Sequence, residues 1–425
     1  MPQPVSVAPS ETERFWQEFA ARHWEQRPLS LPAAPVQLDV EEEELLNALS
    51  QAADRGNRSA AGSGLPRVVV TVDGRTQPID TRPFLPLPQD DYLDDYLARV
   101  DERMREHEWS VAVSGLHAVS APLWDRAKRL SDDVYRCTGT RVAGRVDMDT
   151  FIGRYTSTNV GVHTDHAGNF GFTVRGRKTL LTWPPECAEQ VPQHTADYAS
   201  ARGLADVLVG VPGALTYFPS RQLHVGESPD AVAVNVNIAF FTRNDPAALV
   251  VDAVGALLAR TRADGADPGA SNPHDIPPAA AAALRALASL PGPELEDVVW
   301  ERHMRVVTSG GLGVGRPAES AAPVPRDARV RLHDDVVVRQ RLLADGRRAV
   351  AAQGHTLKVA DHPQVEAAVA ALADGDTLDL AGWESRADTA AVPLLHAALL
   401  RLVGWRAVEV EAAVSATART TERVL

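Results

Sequence analysis

Cysteine is nearly missing from this chain: two in 425 residues, Cys137 and Cys187, far apart and without CxxC spacing. That excludes a disulfide scaffold and fits a reducing cytosol, so the expected compartment is the cytoplasm. No run approaches eighteen consecutive apolar residues, which excludes a membrane-spanning helix. The opening MPQPVSVAPSETERFW lacks the basic stretch and apolar run of a secretory signal. Positive charge is also short, with 43 Lys and Arg against 56 Asp and Glu and a formal net charge of -13. A field of that sign repels DNA or RNA, so nucleic acid is not an expected partner. Repeat arrays and low-complexity tracts are missing too.

At this length the chain is expected to hold two or three domains. In residues 1–110, Ser10-Glu11-Thr12-Glu13 reads as a capping box that puts Phe15 and Phe19 on one helical face, and the helix should stop before Pro28. An acidic helix is expected over Asp39–Ala53, a flexible loop over Gln51–Gly64, a strand and turn over Arg67–Gly74 and a helix over Asp90–Glu106. Trp109–Ala118 begins as a strand, and Pro122–Gly139 is a helix between a Pro start and a Gly stop. From Arg141 to Thr242 short β runs alternate with Gly and Pro, the texture of a sandwich or small barrel. Residues 245–308 are helical, 309–325 form a Gly- and Pro-rich linker, and the tail from 326 to 425 reads strand, strand, helix, strand, helix, strand. That order suits a small winged-helix-like domain.

Chemistry concentrates in GVHTDHAGNFGFTVRGRK, Gly161 to Lys178. His163 and Asp165 form an HxD, and on a strand or its edge the two side chains point to the same side. With one distant histidine they make a 2-His-1-carboxylate triad, which occupies one face of Fe(II) and leaves positions open for cosubstrate and oxygen. His224, in YFPSRQLHVGES where the chain leaves one β run for the next, is the candidate third ligand. By itself an HxD is a weak signal, and a solvated polar loop is its bland alternative. Lys178 opens KTLLTWPP, a strand otherwise too apolar for an ammonium. A buried lysine needs an anionic partner, for which the C5 carboxylate of 2-oxoglutarate is a candidate; an exposed strand edge would leave the charge in water.

In AVAVNVNIAFF, Val232, Val234, Val236, Ile238 and Phe240 alternate with Ala231, Ala233, Asn235, Asn237 and Ala239. Small and amide groups on one face suit a barrel interior that holds a ligand, although a solvated sheet face gives the same alternation. His166 reads as an ordinary loop histidine, Arg175 and Arg177 as solvated groups about a turn glycine, and His117 and His194 as structural or surface groups. The acidic run Asp39–Glu44 reads as a solvated helix face, with attraction of a basic substrate as its functional alternative.

HTDHAGNFGFTVRGRKTLLTWPP, then YFPSRQLHVGES and NVNIAFF, resembles the JmjC group of Fe(II)/2-oxoglutarate oxygenases. The shared pattern is the HxD, Asn169 with Phe170 or Phe172, the Gly176-Arg177-Lys178 turn, a strand ending at Trp183-Pro184-Pro185, and the late histidine. FWQEFAARHWEQRPLSLP is similar to the start of the ribosomal-oxygenase branch. The resemblance implies an α+β chain: a double-stranded β-helix (cupin jelly roll) over 111–244, with residues 1–110 packing on it. A helical dimerisation region over 245–308 and the winged-helix-like tail follow, and a homodimer is implied. It makes His163, Asp165 and His224 the metal ligands and Lys178 the 2-oxoglutarate anchor. Asn237 matches a polar position near cosubstrate or metal. Where many relatives carry a tyrosine upstream, Phe151 stands here and cannot donate, leaving Tyr155 or Thr173 for that task.

The implied reaction is oxidative decarboxylation of 2-oxoglutarate at iron with O2, coupled to hydroxylation of a side chain in a protein or peptide. A tailoring hydroxylase of a small natural-product scaffold is the alternative within the enzyme class. A cupin-like binding protein without turnover is the alternative outside it.

Overall fold

The first helix, α1 (Glu11–Arg22), starts where its capping box directs: Ser10 Oγ accepts from Glu13 N at 3.2 Å and Glu13 Oε2 accepts from Ser10 N at 2.6 Å. Its apolar face buries Trp16 and Phe19, and Phe19 meets Tyr217 edge-on at 4.8 Å and Phe170 at 5.1 Å. The computed structural model describes residues 10–56, 65–77, 80–141, 145–158, 160–242, 246–261, 278–289 and 292–411. They fall in two compact units, Met1–Asn244 with Gly310–Leu312, and Asp245–Ser309 with Gly313–Leu425.

The first unit mixes helices with a large antiparallel sheet, consistent with a jelly roll of the cupin kind. After α1 come β1 (Leu29–Leu31), α2 (Glu42–Gly56), β2 (Arg67–Val72), β3 (Arg75–Thr76), α3 (Leu93–Arg103), β4 (Trp109–Ser114) and α4 (Ala121–Thr138). Then follow β5 (Val146–Tyr155), β6 (His163–Thr164), β7 (Gly168–Arg175), β8 (Lys178–Trp183), β9 (Asp206–Gly210), β10 (Leu215–Phe218) and β11 (Leu223–Phe240). The major layer runs β1-β10-β7-β11-β5-β4-β2-β3. The minor layer joins β6 and β8 to the first half of β11, with β9 beyond β8.

One 18-residue strand therefore serves both layers. Its register shifts between Ser228 and Ala233, around Pro229, which cannot donate to a ladder. Behind the minor layer, Val162, Leu181, Trp183, Tyr198, Leu223 and Val225 form a core of their own. The next side chains along β6 and β11, His163 and His224, are thereby turned the other way, into the space between the layers.

The second unit contains α5 (Pro246–Thr261), α6 (Pro278–Ala288) and α7 (Gly292–Thr308). It continues with β12 (Arg329–Leu332), β13 (Arg339–Leu342), β14 (Arg347–Ala352), β15 (His355–Ala360), α8 (Pro363–Ala373), β16 (Leu378–Asp379), α9 (Leu380–Glu384), α10 (Ala391–Gly404) and β17 (Val408–Glu411). Two three-stranded antiparallel sheets, β16-β12-β17 and β13-β14-β15, share a core in which Val330, Val350, Val365, Leu395 and Leu399 are fully buried. Among the described residues no helix is long and apolar enough to cross a membrane.

Several sequence expectations shift. The loop expected from Gln51 starts later, because Leu45, Leu49 and Ala52 all bury on one stripe and α2 runs to Gly56; residues 57–64 lie outside the described set. The strand expected from Arg141 begins at Val146, and residues 142–144 are not described. His224 does not lie between two β runs but is the second residue of β11. Four strands, not two, precede the first tail helix. TLDLAGW leaves the strand at Asp379, whose side chain accepts from Gly382 N at 3.2 Å and starts a helix. The third helix α7 and strand β9 were not singled out in the sequence.

Candidate metal centre

His163 on β6 and His224 on β11 are direct cross-strand partners, and their ring centroids lie 4.4 Å apart. Asp165, just past β6, completes the group: one donor atom from each of the three residues lies within 4.8 Å of the others. Asp165 Oδ1 is 3.4 Å from His163 Nε2, and Oδ2 is 3.6 Å from His224 Nε2. Each Nδ1 faces a backbone carbonyl, His163 that of Gly161 at 2.8 Å and His224 that of Gln222 at 2.9 Å. An Nδ1–H donating there leaves Nε2 as the free lone pair in the neutral ring, so both histidines present the same ligand atom to one point.

The ionisation of the three groups is set locally. Burial works against charge on His163, but the hydrogen bond to Asp165 and its charge outweigh that and raise the imidazole. Burial would raise Asp165, yet the His163 hydrogen bond and the charges of His224, His163 and His166 hold it below the usual carboxylate range. Burial drives His224 down to about 4, with Asp165 opposing. A divalent cation held here would take the place of the His163 proton, and two neutral imidazoles with one carboxylate are a donor set suited to Fe(II).

Lys178 opens β8 and is buried at 6% exposure. Its ammonium touches the Tyr155 hydroxyl and lies 5.3 Å from the Phe151 ring centroid and 4.5 Å from that of Tyr155. Among the described residues no carboxylate is in ion-pair contact with it, although the buried Glu227, held by Arg202 and Tyr198, feels its charge. The exposed-edge alternative is wrong, and a directly contacting anion is still wanted. Space for the side chain depends on Gly226: a Cβ there would meet Lys178 Cε at 2.9 Å and Nζ at 3.0 Å.

The amide face of β11 is buried as well, which removes the solvated-sheet alternative. Thr173 Oγ1 donates to Asn235 Oδ1 at 2.9 Å, and Asn235 in turn donates to Asn237 Oδ1. Cross-strand register places Asn235 opposite Phe151 and Thr173, and Asn237 opposite Asp149 and Gly171. Thus Tyr155, Thr173 and Asn237 all line the interior that holds Lys178. Asn169 Oδ1 and Thr182 Oγ1 are buried on the same inward faces of β7 and β8 with no hydrogen-bond partner among the described residues.

Asp149 and Thr182 were not among the sequence candidates. Asp149 shares its face with Ser114 on β4 and Asn237 on β11. Burial pushes its carboxyl up to about 6; Ser114 donation opposes this, and the charges of Asp147 and Asp165 add to it. The period of two in VDMDTFIGRY could have marked it, since Asp147, Asp149, Phe151 and Tyr155 all fall on one face.

Other expectations resolve simply. His166 and Arg177 are exposed, and His194 is exposed with its backbone N donating to Val162 O at 2.8 Å. His117 is fully buried, and burial lowers it to about 4 against the charge of Asp147 and the backbone of Leu312. Arg175 is not solvated: its guanidinium pairs with Glu42 at 2.9 Å and with Asp94. Glu44 pairs with Arg126, so part of the Asp39–Glu44 run is tied down rather than free in water.

Among solved structures the chain is similar to the ribosomal oxygenase YcfD from Escherichia coli in complex with cobalt and 2-oxoglutarate (18% identity, 93% of this chain and 98% of that one, TM-score 0.45). It is similar to the same protein with cobalt and succinic acid (16% identity, 93% and 98%, TM-score 0.44). Oxalate decarboxylase from Bacillus subtilis matches 24% of this chain and 23% of its own (11% identity, TM-score 0.18). No family model and no curated protein matches the sequence.

Proposed function

We propose that the first unit is an Fe(II)/2-oxoglutarate-dependent oxygenase that hydroxylates an amino-acid side chain in a protein or peptide, acting in the cytoplasm. The observation that carries this reading is a buried lysine, with no carboxylate in contact among the described residues, in the same interior as a convergent His163–Asp165–His224 group. The triad would hold the iron through two Nε2 atoms and one carboxylate oxygen. Lys178 would hold the far carboxylate of 2-oxoglutarate, with the Tyr155 hydroxyl beside it and the Thr173–Asn235–Asn237 chain along the adjoining wall. Bound iron and 2-oxoglutarate supply the oxidising chemistry. The chain contributes orientation and dryness: paired layers close the interior, and Leu180, Leu208 and Phe218 make its lining apolar. No side chain is needed as a general base.

Asp149 supports a cationic side chain as the part of the substrate that enters. Its carboxyl faces the interior without an ion-pair partner among the described residues, and above pH 6 it is charged. Incubation with iron, 2-oxoglutarate and O2 should release succinate and add about 16 Da to a basic peptide or protein from the host lysate, the mass of one oxygen atom. Succinate release without any such product would favour a small scaffold instead, and no succinate at all would favour a binding cupin.

The same carboxyl has a stability consequence. An Asp raised from 3.8 to about 6 contributes stability that is full below pH 3.8 and lost as pH rises through 6. Asp149→Asn should therefore stabilise the metal-free protein by about 2 kcal/mol at pH 8. At pH 3.5 the gain should vanish. The contribution of His117 runs the other way, lost as pH falls from 6.5 to about 4. It is common to both proteins and cancels in the difference. Chemical denaturation at the two pH values checks this, and equal stabilities at pH 8 would mean that the carboxyl carries no burial cost.

We assign residues 1–110 to a region packing on the catalytic barrel of 111–244, and 245–308, beyond it, to dimerisation. A linker of 309–325 and a winged-helix-like domain of 326–425 complete the chain. Support for a homodimer is apolar surface on α5 and α6, where Val251 is 68% and Leu284 55% exposed. Sedimentation equilibrium should give twice the chain mass for wild type and a lower value for Val251→Glu; a monomeric wild type would refute the assignment.

A further inference from the structure

Glu25 stands just past α1 in a left-handed backbone conformation, φ 53, which a glutamate adopts only when its surroundings hold it there. What holds it is the turn in front of His224. Glu25 Oε1 accepts from Ser220 N at 3.1 Å, Oε2 accepts from the Ser220 hydroxyl, and Thr242 Oγ1 donates to Oε2 at 3.0 Å. The Tyr217 hydroxyl accepts from Glu25 N at 3.0 Å and lies 3.4 Å from Oε1. On its other side the carboxylate occupies the space in front of Gly168, where an added Cβ would come within 2.6 Å of Oε1. One side chain thus bonds the segment that leads to His224 and lies beside the segment that leaves Asp165.

The Ser220 turn reaches the metal ligands by direct bonds. Arg221, itself at φ 64, donates its backbone N–H to the Asp165 carbonyl at 2.7 Å. Gln222 supplies the carbonyl that fixes His224 Nδ1 at 2.9 Å, and its own Nε2 donates to Trp183 O at 2.6 Å. Two consecutive residues therefore set one ligand's loop and another ligand's tautomer, and the residue before them is the one Glu25 grips.

We infer that Glu25 is a positioning residue for the metal centre: by holding Ser220 and bracing Gly168 it keeps Asp165 and His224 at the spacing a single cation requires. This rests on the reading of the triad as a metal site. It ties the N-terminal helix to ligand geometry, a role distinct from the aromatic packing of Trp16 and Phe19. Groups that orient ligands from behind change metal affinity by roughly ten- to a hundredfold when removed.

Cobalt(II) alone, titrated into the full chain, tests it with melting temperature of the metal-free protein measured alongside. Glu25→Gly removes the carboxylate but suits the positive φ, so relief of strain offsets the added freedom of the unfolded chain. It should raise the cobalt Kd about tenfold while the melting temperature stays within about 3 °C. Glu25→Gln keeps an oxygen for Ser220 and should stay within about threefold of wild type. Ser220→Ala removes one donor from the opposite side and should raise Kd about threefold, which keeps the claim testable if a Glu25 variant does not fold. A Glu25→Gly protein with wild-type cobalt affinity overturns the inference, as does Ser220→Ala with unchanged affinity. A wild type that binds no cobalt removes the metal reading, and this inference with it.

Discussion

Asp165→Ala should lower iron-dependent decarboxylation of 2-oxoglutarate by at least about a thousandfold, with little change in fold. Asp165 supplies the one negative charge of the donor set, and it alone spans both imidazole Nε2 atoms, at 3.4 and 3.6 Å. Without it two neutral rings face a divalent cation, and the hydrogen bond and charge that raise His163 are gone. The variant should therefore show a His163 that titrates lower, visible in the ring proton shifts of the metal-free protein. Asp149 does not replace the lost ligand: it sits on β5 opposite Asn237, and the donor atoms that converge within 4.8 Å are those of His163, Asp165 and His224. Residual turnover above a tenth of wild type would contradict the assignment.

Lys178→Met should raise the 2-oxoglutarate Kd about a hundredfold, since a charge-assisted contact in a dry site is worth about 2–3 kcal/mol. The same change should stabilise the protein without ligand. An ammonium at 6% exposure, with a hydroxyl and two ring faces but no carboxylate in contact among the described residues, is costly to bury, and methionine fills its volume without charge. Binding and stability thus move in opposite directions, which general damage to the fold would not produce. Calorimetric titration with cobalt(II) present and a thermal melt in chelator measure the two. Equal 2-oxoglutarate affinity in both proteins would mean that the cosubstrate's carboxylate lies elsewhere.

Much of this site is legible in the sequence because its groups break local rules. A lysine opening KTLLTWPP, and two asparagines among the alanines of AVAVNVNIAFF, conflict with the strands that carry them, and each conflict marks the interior. Capping chemistry is legible for α1 because it is local: Ser10 and Glu13 act within one turn. What stays hidden depends on long-range pairing. That His224 belongs to the strand that also carries Asn235 and Asn237 follows from one chain segment serving two layers, which period-two patterning cannot show. Asp149 escapes notice because an acid in a strand ordinarily faces water; only its register against Ser114 and Asn237 turns it inward. Arg175 looks solvated because its partners, Glu42 and Asp94, are more than eighty residues away in sequence. In the tail, Asp379 reads equally well as a strand residue or an N-cap, and the backbone N–H of Gly382 decides for the cap.

On the proposed function, one cation and 2-oxoglutarate share the interior bounded by His163, Asp165, His224 and Lys178. Anaerobic titration of the protein with Fe(II) and then 2-oxoglutarate, followed by visible absorption, puts that sharing to a direct test. The expected result is a weak metal-to-ligand charge-transfer band that appears only when both are present and is absent in His163→Ala. A wild type that binds iron yet shows no such band with 2-oxoglutarate would contradict the proposal and leave a metal-binding cupin without this cosubstrate.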